Sequence, residues 1–144
     1  MLAGDDEMAG WIGSLVGAAV IATTAAGAMA AGGDPLAVHL WKSRVLVIAA
    51  PEAGDARLQA QREALAAARG GVKERDLVVV EAIGNGPRAV ELRQRLGLPE
   101  GAFRAVLVGK DGGPKLSSGE PIPPQNLFAT IDAMPMRRDE MKRR

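Results

Sequence analysis

Arg44-Val45-Leu46-Val47-Ile48-Ala49-Ala50, closed by Pro51, is the stretch whose reading decides the fold. Apolar residues follow one another with no polar alternation. That pattern suits a strand buried on both faces of a sheet. Such a strand needs helices on both sides, so the fold class is α/β. Downstream, Pro51 to Asp55 reads as a loop with Asp55 as the cap of a helix. Leu58, Gln61-Arg62, Leu65 and Ala68 give that helix its stripe, with Leu58, Leu65 and the alanines facing inward. Gly70-Gly71 is expected to close it as a left-handed cap.

A second strand is expected over Asp76 to Ile83, where three valines adjoin. Gly84-Asn85-Gly86-Pro87 is turn punctuation, and Pro87 opens a second helix carrying Val90, Leu92 and Leu96, which ends near Gly97. Phe103 to Val108 is a third strand. The Gly109-Lys110-Asp111-Gly112-Gly113 turn returns it as a short antiparallel strand, Pro114 to Ser118. Leu127, Phe128 and Ile131 mark a final helix over residues 125–133, and Pro135 is expected to break it. The order is β-α-β-α-β-β-α around a central mixed sheet. Two parallel βαβ crossovers followed by a hairpin and a packing helix make it thioredoxin-like.

Upstream, no charged residue occurs from Met8 to Gly33, and the run is rich in Ala and Gly. Its stronger apolar residues, Trp11 to Ile21, lie in the first half. Ala28-Met29-Ala30 then supplies the small-x-small pattern of a signal-peptidase site, with Ala31 as the new N-terminus. Asp5-Asp6-Glu7 is the wrong sign for the segment that precedes such a core. Either Met8 is the true start or the run is an uncleaved anchor, in which case Lys42 and Arg44 would place the main domain in the cytoplasm. The expected organisation is a signal peptide over 1–30, a linker over 31–37, the domain over 38–136 and a basic tail over 137–144. Periplasmic or secreted protein is the expected address, with a membrane tether as the alternative.

Composition removes several function classes. Lys plus Arg number 18 and Asp plus Glu 17, a net charge of +1, which argues against a dedicated nucleic-acid binder. Without residues 1–30 the count is 18 bases against 14 acids, net +4. There is no cysteine, so this chain carries no disulfide, thiolate metal site or thiol redox chemistry. One histidine, His39, makes a His-rich metal site or a Ser-His-Asp triad improbable. Two Trp, two Phe and no Tyr leave few platforms for stacking bases. No cofactor is implied.

Four motifs resemble domain-of-unknown-function family 4174. They are His39-Leu40-Trp41-Lys42-Ser43-Arg44-Val45-Leu46, Glu74-Arg75-Asp76-Leu77, Gly109 to Lys115, and Ile131-Asp132-Ala133-Met134-Pro135-Met136-Arg137-Arg138-Asp139-Glu140-Met141. The resemblance covers about residues 38–141. It implies a thioredoxin-like fold and a bacterial, exported single domain. Its animal relatives form the peroxiredoxin-like module of sushi-repeat and coiled-coil extracellular matrix proteins. It implies no established reaction. Where the family's pattern leads one to expect a basic residue after Lys115-Leu116, this chain has Ser117-Ser118.

The candidate binding residues are Lys110, Asp111, Lys115, Arg137 and Arg138. The bland reading makes Asp111-Gly112-Gly113 a tight turn beside solvated lysines and leaves the last residues as a frayed tail. The sharper reading is a basic rim that binds a carboxylate or phosphate, or touches an anionic envelope surface. Gly109 to Lys115 is no phosphate loop, because Lys-Asp stands where Gly-Lys-[Ser/Thr] is needed and a strand follows. Met134 and Met136 are expected to fill a gap beneath the last helix; with Met141 they could also act as an oxidant sink. Two thioethers and one distant histidine make a poor copper site. Asp132 and Arg75-Asp76 read as ion-paired fold elements, and Trp41 as a core or lid residue. A non-catalytic module for an unknown protein or small anionic ligand is the first functional expectation. A thiol-independent enzyme using Lys110, Asp111 and Asp132 is the second, and it requires those three to converge in one pocket.

Overall fold

The computed structural model describes residues 33–143. The signal-peptide reading, including Ala28, Ala30 and Ala31, lies outside the described residues. Four strands and five helices follow one another: β1 (Arg44–Ala50), α1 (Ala56–Ala67), α2 (Arg69–Glu74), β2 (Leu77–Ile83), α3 (Pro87–Leu96), β3 (Arg104–Val108), β4 (Pro114–Ser118), α4 (Pro124–Asp132) and α5 (Pro135–Lys142). The sheet order is β2-β1-β3-β4, the arrangement expected of a thioredoxin-like α/β domain.

Every residue of β1 is buried. Leu46, Ile48 and Ala50 pack on one face against Leu58 and Leu65 of α1 and Leu127 and Ile131 of α4. Val45, Val47 and Ala49 pack on the other against Ala89 and Leu92 of α3. The unbroken apolar run is thus the direct imprint of helices on both sides.

β1 pairs in parallel with β2, with Leu46 opposite Val79. It pairs antiparallel with β3, with Leu46 opposite Leu107, and β4 continues antiparallel from β3. One of the two expected parallel crossovers is therefore not parallel. The seven residues 97–103 between α3 and β3 can span roughly 23 Å when extended. That is enough to carry the chain back along the sheet before β3 begins. Strand and helix periodicities carry no information on that choice.

Local signals account for most boundaries. The Asp55 carboxylate accepts from the N–H groups of Arg57 and Leu58, at 2.9 and 3.3 Å, and Gly97 ends α3 at φ 68°. Gln61 is fully buried on α1 and exchanges two hydrogen bonds with the Ile122 backbone, at 2.9 and 2.7 Å, which ties α1 to the segment entering α4.

Two boundaries correct the sequence reading. Gly70-Gly71 does not end a helix but lies inside α2, after a break at Ala68. A Cβ on Gly71 would stand 2.6 Å from Phe128 Cε2, so the glycine is there for close packing. Pro135 does break α4, but as the first residue of a new helix, where its missing N–H costs nothing. The segment expected as a free basic tail is therefore folded through Lys142.

Candidate functional site

Three chain segments meet where β1 and β2 begin and β3 ends. Arg44 opens β1, Asp76 precedes β2, and Lys110 follows β3. Arg44 is fully buried. Its guanidinium donates to both Glu140 carboxylate oxygens, at 3.3 and 3.2 Å, and to the Arg75 carbonyl at 2.8 Å. Lys110 Nζ donates to the same Glu140 at 2.7 Å and to Asp76 at 3.1 Å. Arg137 is 1 % exposed and donates to Glu74 at 2.8 Å and Asp132 at 3.1 Å. Arg75 grips Asp132 through two bonds of 3.0 Å and lies 4.2 Å above the Phe128 ring.

The charge states follow from those contacts. Hydrogen bonds from Arg75, and then Arg137, hold the Asp132 carboxyl below its ordinary range despite burial. Burial pushes Glu140 up, but hydrogen bonds from Lys110 and Arg44 outweigh it and hold that group low as well. Burial likewise opposes the charge on Arg137, and its bonds to Asp132 and Glu74 reverse the effect. Within this cluster the buried cations Arg44, Lys110 and Arg137 are thus each matched by a carboxylate, whereas buried Arg93 on α3 donates to the Gly84, Ala50 and Ala82 carbonyls.

A cavity of about 290 Å³ opens beside this cluster. Arg44 of β1, Lys110 and Asp111 of the turn and Lys115 of β4 line it together with Thr130 of α4, Ala133, Met134, Pro135 and Met136. Asp111 is spent on the turn: its carboxylate accepts from the Gly113 N–H at 3.0 Å and from Lys115 Nζ at 2.9 Å. Those two bonds, the backbone one first, hold its pKa low. Gly112 has φ 85°, and a Cβ there would meet Leu40 Cδ2 at 2.8 Å, so this turn requires glycine.

Of the five sequence candidates, Lys110, Asp111 and Lys115 come together at the cavity. Arg137 lies buried in the ion cluster behind it, and Arg138 is exposed on α5. Lys110 and Lys115 do not meet Arg137 or Arg138 in a basic rim at the cavity: Lys110 and Arg137 are held in the ion cluster, Lys115 pairs with Asp111 at the surface, and neither arginine lines the cavity. Lys110, Asp111 and Asp132 do not converge either, since Asp132 faces Arg75 and Arg137. The reading of Asp132 and Arg75 as ion-paired fold elements holds. Met134 packs against the core as expected, whereas Met136 is 38 % exposed at the cavity. Trp41 corrects the core half of its reading: it is 64 % exposed and belongs to no core cluster. Arg44 and Glu140, separated by 96 positions, escaped sequence reasoning; only the charged residue opening an apolar strand hinted at a buried partner.

The loop after β1, where a thioredoxin would carry its thiol, offers no nucleophile. Pro51 and Asp55 line an open cleft of about 350 Å³ there with Arg57 and Phe103. Asp55 caps α1, and Arg57 pairs with Glu120 at 3.1 Å.

A family model described as a domain of unknown function (DUF4174) matches residues 35–140. That range takes in all four strands and the residues of the ion cluster. The chain belongs to the DUF4174 family. Among its relatives, Sushi repeat-containing protein SRPX2 of Xenopus laevis is 30% identical over 105 residues, which is 63% of this chain and 23% of that protein. Sushi repeat-containing protein SRPX of Rattus norvegicus is 32% identical over 114 residues, 69% of this chain and 25% of that protein. SRPX of Homo sapiens matches to the same extent. The DUF4174 chain therefore spans about a quarter of the length of these curated relatives. Among the described residues, no helix is long and apolar enough to cross a membrane.

Proposed function

We propose that this DUF4174 domain is a non-catalytic binding module of an extracytoplasmic compartment, and that the cavity beside the Gly109–Gly113 turn is its binding site. The observation that carries the reading is the makeup of the cavity walls. Ala133, Met134, Pro135 and Met136 offer carbon and thioether surface, while the charged groups of the lining are bonded to carboxylates of the protein itself. Such a site gains by burying apolar surface; an anion would first have to displace Glu140 or Asp111 from its cation. An apolar side chain of a partner polypeptide therefore fits better than a small anionic ligand. The adaptable thioethers of Met134 and Met136 suit that use. The address rests on the apolar run ahead of Ala31 and on the kinship with sushi-repeat proteins.

Two measurements test the proposal. N-terminal sequencing of the protein from its native host, by cell fraction, should find a soluble envelope product that begins at Ala31; a full-length membrane species would overturn the address. Calorimetric titration with single-residue surrogates should detect N-acetyl-leucinamide or N-acetyl-phenylalaninamide and not N-acetyl-lysinamide. Ala133→Phe, which fills the cavity from its exposed wall, should abolish the signal. Equal response to all three surrogates, or binding untouched by Ala133→Phe, would contradict the site.

A further inference from the structure

Trp41 is the residue that neither the fold nor the cavity explains. It has φ 64°, a left-handed conformation in which a bulky L side chain is a true outlier. Its side chain nevertheless stands in water, with 64 % of the residue exposed. The conformation is enforced from outside. The Trp41 N–H donates to the Lys110 carbonyl at 2.7 Å, and the N–H groups of Lys42 and Ser43 donate to the His39 carbonyl at 3.0 and 2.9 Å. Leu40 lies against Gly112 of the cavity's turn. Strain kept in place by several contacts, with no burial in return, is a feature of functional positions.

Its surroundings define a surface. Val38, three residues earlier, is 66 % exposed. Lys110, which holds the Trp41 backbone, also lines the cavity and binds Glu140. On α5, Met136, Glu140 and the capping Arg143 are spaced i, i+4 and i+7, one stripe of a helix. Glu140 on that stripe accepts from Lys110 Nζ, and the carbonyl of the same lysine holds the Trp41 backbone. Lys42 and Arg143 are exposed cations.

We infer that Trp41 anchors a protein-docking surface continuous with the cavity, and that its partner is a polypeptide segment presenting an apolar side chain next to Asp or Glu. Tryptophan and methionine supply the apolar contact. Lys42 and Arg143 set the charge of the partner. The inference rests on the proposed cavity site and adds its partner chemistry.

The full chain with Trp11→Phe keeps Trp41 as its sole tryptophan and has no tyrosine, so its emission reports on this surface alone. A random-peptide phage library selected on that protein supplies the probes, and synthetic copies of the selected peptides are then titrated. The expected winners carry Asp or Glu beside Leu, Phe or Met and shift Trp41 emission to the blue. Their affinity falls about tenfold or more in Trp41→Gly, while that variant, with its backbone strain relieved, melts no lower than the parent. Lys42→Glu should weaken the same peptides and raise their salt tolerance. Basic or sequence-neutral winners would overturn the inference, as would affinity unchanged in Trp41→Gly. Loss of binding in Ala133→Phe but not in Trp41→Gly would leave the cavity site standing and remove Trp41 alone. Anionic phosphatidylglycerol vesicles shifting the emission where peptides do not would identify a membrane-facing surface instead.

Discussion

Arg137 and Arg138 are adjacent identical residues with opposite fates, and the difference is a matter of which carboxylates the fold brings to each. Arg137 is buried and donates to Glu74 and Asp132, while Arg138 is exposed on α5. Arg137→Ala should destabilise the domain by about 1–3 kcal/mol, because a buried side chain and its bonds to Glu74 and Asp132 are lost while Asp132 keeps Arg75. Arg138→Ala should stay within about 0.5 kcal/mol of the parent. Urea denaturation followed by circular dichroism separates the two, and equal effects would refute the assignment. The sequence showed the arginine pair but not this asymmetry, since Glu74 lies 63 positions away. Gly71 was opaque for the same reason. Two glycines read as a helix end, and only the ring of Phe128, 57 positions on, explains why one of them sits within a helix.

At the scale of elements, α5 is held by charge more than by apolar contact: Arg137 is its one buried residue. Its attachment therefore depends on the ionisation of Asp132 and Glu140. Both carboxyls have folded-state pKa values below their unfolded ones. The unfolded chain thus binds more protons in acid, and stability falls as pH drops from the unfolded values, about 4, toward the lower folded ones. Melting temperature should be level between about pH 6 and pH 8 and decline below about pH 4.5. Glu140→Gln should lower the plateau and make the acid decline shallower. A steeper decline in that variant would contradict the role of Glu140. β1, α1, α3 and β4 were legible because their caps, turns and periodicities are local. α5 was not: Pro135 signals the end of one helix and the start of another equally well, and the charges after it resemble a solvated tail.

For the whole molecule, the α/β class, the succession of elements along the chain and the absence of thiol chemistry follow from one apolar run, regular punctuation and a composition without cysteine, whereas the antiparallel sense of β3 does not. The site was only partly legible. Lys110, Asp111 and Lys115 line the cavity together because they lie within six residues of one hairpin, whereas Arg44, Thr130 and Ala133 reach it through packing between distant segments. On the proposed reading, the pairing of Arg44, Lys110 and Lys115 with carboxylates turns the site from anion binding to burial of an apolar group. That change is the central claim, and the methionine methyl groups report on it directly. With the methionines 13C-methyl labelled, N-acetyl-phenylalaninamide should move the Met134 and Met136 signals in a saturable way and leave Met141 in place. An anion such as inorganic phosphate should move neither. Phosphate shifting Met134 and Met136 while the apolar surrogate leaves them untouched would show an anion site where the account places an apolar one.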